Sequence, residues 1–266
     1  MFDLKKLPEN ISKKTAGLSW KYDDSGRSDS DVLLFDELVL KIEKTTRSSE
    51  QERMLLEWLE GKLPIPKVIA FETCENYSFL LMSKMPGEMV CTGNSLKNME
   101  KSVIAITDGL KAMWKIDISN CPFSETISDK LAYAKQNIEN NLVDVNDFDP
   151  ETLNQEGFSN ANDLFDYLNR NRPKEDLVFS HGDYTFQNVL VSGYNITGLV
   201  DWGRGGIADR WQDIALIYRH LKNRHKKYGL YSERDYQNYK SLFFSELGLE
   251  PDEEKIRYFI LMDELF

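Results

Sequence analysis

From residue 177 to residue 200 the chain carries three short β-rich apolar runs, 177–179, 189–191 and 196–200, with the turn Ser192-Gly193-Tyr194-Asn195 between the last two. The pattern predicts a strand, a polar loop and a hairpin, with loop side chains held rigidly at the strand ends. Upstream, residues 1–17 alternate charge with isolated apolar positions and predict a short leading helix. Strands are expected over 18–22, 32–35 and 38–42, with a polar turn over 23–31. A helix over 49–60 puts Met54, Leu55 and Trp58 on one face, and two more strands follow over 67–72 and 77–82. From residue 95 the helical period dominates, with helices over 96–114, 129–142, 161–171, 211–220, 236–247 and 252–266. The change falls at the Pro/Gly junction 83–87, which sets an expected boundary between residues 1–84 and 85–266. The fold class expected is α+β: a small N-terminal antiparallel sheet with one helix, then a larger, mainly helical part.

Composition narrows the picture. With 266 residues and 41% hydrophobic content the chain can bury a substantial core. No apolar run approaches a membrane span, and MFDLKKLPEN lacks a secretory stretch, so a cytoplasmic location with no membrane partner is the default expectation. Cys74, Cys91 and Cys121 are widely spaced and read as reduced thiols. A net charge of −11 argues against nucleic acid as partner and favours a cationic or metal-bridged one, although the same charge also serves solubility.

The candidate chemistry lies in residues 178–213. Asp183 and Asn188 stand five residues apart across a strand start, and Asp201 returns on the adjacent strand, followed by Gly203. Two carboxylates and an amide oxygen can converge on one point, a hard oxygen set that suits Mg²⁺ with phosphate oxygens and water. Each residue alone could equally cap a turn or end a strand. The ordered set His-x-Asp-x-x-x-x-Asn, apolar hairpin, Asp-x-Gly is the phosphoryl-transfer template, in which Asp183 takes the proton of an attacking hydroxyl. Lys41 sits in the run LVLKI, sharing a strand face with Val39 while Leu38, Leu40 and Ile42 take the other, and needs a partner that Glu52 on the next helix offers. The hairpin tip DDSGRSDSD, without a Gly-x-Gly-x-x-Gly, could fold over a triphosphate, and adenine would bond to the backbone from Ser83 to Met85. The acidic segment 144–156 is either a solvated loop or a wall that attracts ammonium groups. A hydrolase built on His181, His220 or His225 has no nucleophile elbow to support it.

The segments WLEGKLPIPKV (58–68), LLMS (80–83), IDISNCPF (116–123), LVFSHGD (177–183) and DELF (263–266) closely resemble the Gram-positive branch of the aminoglycoside 3′-phosphotransferases, within the protein-kinase-like superfamily. The likeness runs over nearly the whole chain. It implies a two-lobed kinase-like fold, a nucleotide-binding lobe over 1–84, and a catalytic and substrate-binding lobe over 85–266. It also implies ATP-dependent phosphorylation of an aminoglycoside hydroxyl, first of all the 3′ with 5″ as the alternative, in a monomer or weak dimer that confers resistance, while Val39 leaves GTP open as donor. By this resemblance Asp183 is the base, Asn188 and Asp201 hold Mg²⁺, and Lys41 with Glu52 grips phosphates under the loop around Ser28. Arg204, Glu151, Asp263, Glu264 and the terminal carboxylate of Phe266 would face the polycationic drug. The chain departs from the family pattern at Val39, where relatives place an aromatic ring over adenine. It departs again after Arg219, where Lys222, Arg224, Lys226 and Lys227 replace an expected acidic contact. A macrolide or choline-like acceptor, or a nucleotide-binding regulator without catalysis, are the competing expectations.

Overall fold

The structure is a computed structural model that describes residues 2–23, 30–90, 92–93, 95–149, 157–226 and 229–266. The expected site residues Ser28 and Glu151 and the basic-run residue Lys227 lie outside these described residues.

The N-terminal helix α1 (Glu9–Thr15) precedes strands β1 (Lys21–Tyr22), β2 (Asp31–Leu34) and β3 (Leu38–Lys44). Helix α2 (Arg47–Leu59) and strands β4 (Val68–Cys74) and β5 (Tyr77–Ser83) follow, giving an antiparallel sheet in the order β1-β2-β3-β5-β4. β3 lies at its centre, with Lys41 opposite Val32 on one side and Leu80 on the other. Alternation along β3 has the predicted effect. Leu40 and Ile42 are buried in a small cluster with Ile11, Leu33, Phe35, Phe79 and Leu81, while Val39 packs against the main core on the opposite face.

α2 begins at a capping box, in which the Thr46 side chain accepts from Ser49 N and Ser49 Oγ accepts from Thr46 N. Its buried face is Gln51, Glu52, Leu55, Leu56 and Leu59, an i, i+4, i+8 stripe. Met54 does not join Leu55 and Trp58 as expected. It is 38% exposed, because one helical position of 100° turns it past the edge of that stripe.

After Ser83 come β6 (Glu88–Met89) and helices α3 (Met99–Trp114), α4 (Ile127–Glu139) and α5 (Ala161–Arg170). Next are β7 (Leu177–Ser180), β8 (Val189–Ser192), β9 (Asn195–Leu199) and β10 (Gly206–Asp209). The chain closes with α6 (Trp211–Lys226), α7 (Glu233–Leu247) and α8 (Glu253–Asp263). Capping boxes at Thr126/Asp129 and Ser232/Asp235 start α4 and α7 earlier than their apolar periods predict. α6, expected to start over 211–220, runs on through the basic residues to Lys226. β8 and β9 form the expected hairpin, whereas β7 pairs with β10, a strand whose sequence Gly-Ile-Ala-Asp has no apolar run to announce it. The main core gathers Leu55, Leu56, Leu59, Leu80 and Met82 together with α3 to α8, so α2 is packed against the C-terminal part as well as lying beside the sheet. Among the described residues no helix is long and apolar enough to cross a membrane, and Cys74 and Cys121 are free thiols.

Candidate active site

The loop that leaves β7 carries His181, Asp183 and Asn188, and its shape is set by one buried carboxylate. Asp213, in the first turn of α6, accepts hydrogen bonds from Ser180 Oγ (2.9 Å), His181 N (2.8 Å) and Gly182 N (3.0 Å). Backbone amides that would otherwise be orphaned in the core are thereby satisfied. His181 is fully buried, its Nε2 lies 3.0 Å from Val200 O, and its ring centroid lies 4.3 Å from that of Trp202. It braces the loop. Gly182 has φ +82°, and a Cβ there would lie 1.9 Å from Arg204 O, so only glycine lets this loop approach the 201–206 loop so closely.

Asn188 Nδ2 donates to Asp183 O (2.8 Å) and to Asp183 Oδ2 (3.1 Å), which fixes the carboxylate and leaves the amide oxygen of Asn188 as its open atom. Asp201 follows β9 with φ 66°, a left-handed conformation that is unfavourable for a non-glycine residue and that clusters at functional sites. Its Oδ1 lies 3.3 Å from Lys41 Nζ, which also meets Glu52 Oε2 at 2.8 Å and Glu43 Oε2 at 3.4 Å. The predicted strand-lysine to helix-glutamate pair is therefore formed, with Glu52 only 2% exposed.

Burial alone would lower the Lys41 pKa, but Glu52, Asp201 and Glu43 outweigh it and hold the ammonium well above the usual lysine value. Burial pushes Asp183 up from the ordinary aspartate value, opposed in part by Arg204 and His181. Burial pushes Asp201 the same way, yet Lys41 and His181 more than compensate and hold it below that value. Two aspartates at one site thus have their affinities for a proton driven apart.

Around this centre, Arg204 Nη1 lies 3.5 Å from Asp263 Oδ1, and Arg219 pairs with the other oxygen of Asp263. Burial would raise the Asp263 carboxyl, but Arg219 and Arg204 keep it low. Glu264 accepts from Asp149 N (3.1 and 3.2 Å), Asn137 Nδ2 donates to Leu265 O (3.0 Å), and the Phe266 ring lies 4.9 Å from Lys130 Nζ. Asp263, Glu264 and Phe266 are consequently docked in place beside the Asp183 loop. At the end of β5 Ser83 N donates to Lys67 O and, just beyond it, Lys84 N to Glu37 O, whereas Met85 N has no acceptor among the described residues. Val39 and Met82 are opposite each other in the β3–β5 ladder, on the Lys41 side of the sheet.

The structure forms three linked groups, Lys41 with Glu52 and Asp201, Asp183 with Asn188, and Arg204 with Asp263, and Arg204, Asp201 and Asp263 all act electrostatically on Asp183. The sequence reading missed Asp213 and Arg219. Neither has a local signal, since Asp213 lies in an ordinary first helical turn and Arg219 in a run of basic residues. An ammonium, an amide oxygen and two carboxylates of opposite pKa displacement can hold a phosphate chain with a divalent cation and deprotonate a hydroxyl beside it.

The model of the Phosphotransferase enzyme family matches residues 19–241. An aminoglycoside 3′-phosphotransferase from Enterococcus faecalis is 37% identical over 225 residues, 84% of this chain and 80% of that protein. One from Staphylococcus aureus is 36% identical, covering 84% and 81%. Among solved structures, an aminoglycoside 3′-phosphotransferase of type VIII superposes with TM-score 0.81 at 25% identity, covering 97% of each chain. An aminoglycoside phosphotransferase from Streptomyces rimosus superposes at 0.83 and 19% identity, covering 100% and 99%, which establishes the two-lobed kinase-like fold. The chain therefore belongs to the phosphotransferase enzyme family, on its aminoglycoside 3′-phosphotransferase branch.

Proposed function

We propose that the protein transfers the γ-phosphoryl group of ATP to the 3′ hydroxyl of an aminoglycoside and so confers resistance. The observation that carries the reading is the Lys41–Asp201 pair and the Asn188–Asp183 pair, with Asp201 and Asp263 both acting electrostatically on Asp183. Asp183, held by Asn188, accepts the hydroxyl proton while the oxygen forms its bond to phosphorus and the bond to the leaving ADP oxygen breaks. Lys41, oriented by Glu52, grips the α- and β-phosphates. Arg204 offsets charge next to Asp183.

The open amide oxygen of Asn188 and the half-exposed carboxylate of Asp201 fit Mg²⁺, which when bound neutralises phosphate charge. Among the described residues no three His, Cys, Asp or Glu side chains form a ready cage, in keeping with a cation held largely by phosphates and water. The unsatisfied N–H of Met85 suits the adenine edge, under an aliphatic ceiling at Val39 that would also admit GTP. The loop around Ser28 would cover the outer phosphates. Drug ammonium groups would meet Glu264, Asp263, the Phe266 carboxylate and Glu151, sharing Asp263 with Arg204 and Arg219. We take 1–84 as the nucleotide lobe and 85–266 as the acceptor lobe.

Coupled ADP release with Mg²⁺-ATP is the test. Turnover with kanamycin and none with its 3′-deoxy analogue is expected; turnover with a macrolide or choline and with no aminoglycoside would overturn the reading.

A further inference from the structure

Helix α2 is fastened to the loop that carries Asp201 and Arg204 by side chains that the phosphoryl-transfer scheme does not use. Ser48 Oγ donates to Gly203 O (3.0 Å), and Gln51 Nε2 donates to Gly205 O (2.7 Å) and to Glu125 Oε1 (3.0 Å). The same Glu125 oxygen accepts from Arg47 Nη2 (3.0 Å), whose guanidinium stacks 4.0 Å over Tyr133. Glu125 is itself locked, because its N–H donates to Ile207 O (2.8 Å) and a Cβ on Gly206 would lie 2.9 Å from Glu125 Cγ. Gln51 and Glu125 are 1% and 5% exposed, so each bond is made where a lost partner is costly.

The geometry points to Gln51 and Glu125 as positioning residues that keep α2 permanently engaged. Gln51 and Glu52 are neighbours: one holds the Asp201–Arg204 loop, the other holds Lys41. Any outward swing of α2 would break both at once. In kinases that are switched on and off, the placement of the equivalent lysine–glutamate pair is what regulation controls. Here a buried amide and a buried carboxylate hold it without a partner or a modification. The inference rests on the phosphotransferase reading above.

Gln51→Leu is expected to lower kcat by about tenfold or more, the scale of a misaligned site, with acceptor KM changed by less than about threefold. Gln51→Glu places two carboxyls within contact, which then share a proton, so its kcat relative to the parent should climb as the pH falls from about 8 to about 6. A purely structural contact would lower Tm and leave that ratio flat. A flat ratio, or Gln51→Leu within about twofold of the parent kcat, overturns the proposal. Calorimetric Mg²⁺-ATP binding needs no acceptor and should weaken in Gln51→Leu by about fivefold or more. A parent that binds nucleotide yet phosphorylates no aminoglycoside would sink the substrate reading alone, and unchanged binding in the variant would then sink the bridge.

Discussion

At Asp183 burial works against the charge that the proposed reaction needs. Its folded pKa is raised, chiefly by desolvation, and Arg204 and His181 only partly offset this. The acidic limb of kcat should therefore lie above the usual aspartate range. The sign for stability is opposite to that of a salt-bridged carboxylate: Asp183 contributes fully below its unfolded pKa, and that contribution is lost as the pH rises through the higher folded value. Asp183→Asn is expected to lose about 10²–10⁴-fold in turnover. It should also melt above the parent at neutral pH, with the gap closing as the pH is lowered. A variant that melts no higher at neutral pH would show that burial does not oppose this charge. The meeting of Asp183 with Asn188 was legible from their spacing across a strand start. The loop's shape was not, because Asp213 acts across 30 or so residues of sequence.

α2 carries Glu52, the buried partner of Lys41 in the proposed nucleotide grip. Removing one partner of such a pair strands the other, at about 3–5 kcal/mol. Glu52→Gln leaves Lys41 with Glu43 and Asp201, so the loss should fall near the lower end, about 3 kcal/mol by chemical denaturation. Because Asp201 would then hold Lys41 more firmly, the nucleotide KM should rise while the acceptor KM stays near the parent value; an unchanged nucleotide KM would remove Glu52 from the grip. The pairing of Lys41 with Glu52 could be read from one lysine in an apolar strand and one glutamate on the following helix. β10 could not, since four residues beginning with glycine show no alternation until β7 lies beside them. The length of α6 was hidden for another reason: its last turn is basic, and its apolar period ends before its hydrogen bonds do.

Over the whole molecule the charge of −11 would act together with the proposed acceptor-site carboxylates on a polycation. Long-range attraction of this kind raises the encounter rate and is screened within about 10 Å at 0.1 M salt. The kcat/KM for an aminoglycoside should fall several-fold as ionic strength rises, with a smaller loss in kcat; equal losses in both would place the effect in the chemical step. The change from sheet to helices was visible in the switch of periods near residue 85, since β5 ends at Ser83 and the long helices follow. The packing of Leu55, Leu56 and Leu59 into the main core was not, because a helix pattern shows that a face is buried and not against what. One consequence of the Asp213 brace reaches beyond catalysis. The backbone of His181 and Gly182 is fixed whatever occupies the cleft, so the loop bearing Asp183 cannot reshape itself for a new acceptor. Change in acceptor range would then be left to side chains outside this loop. The chain can evolve its substrates without putting its chemistry at risk.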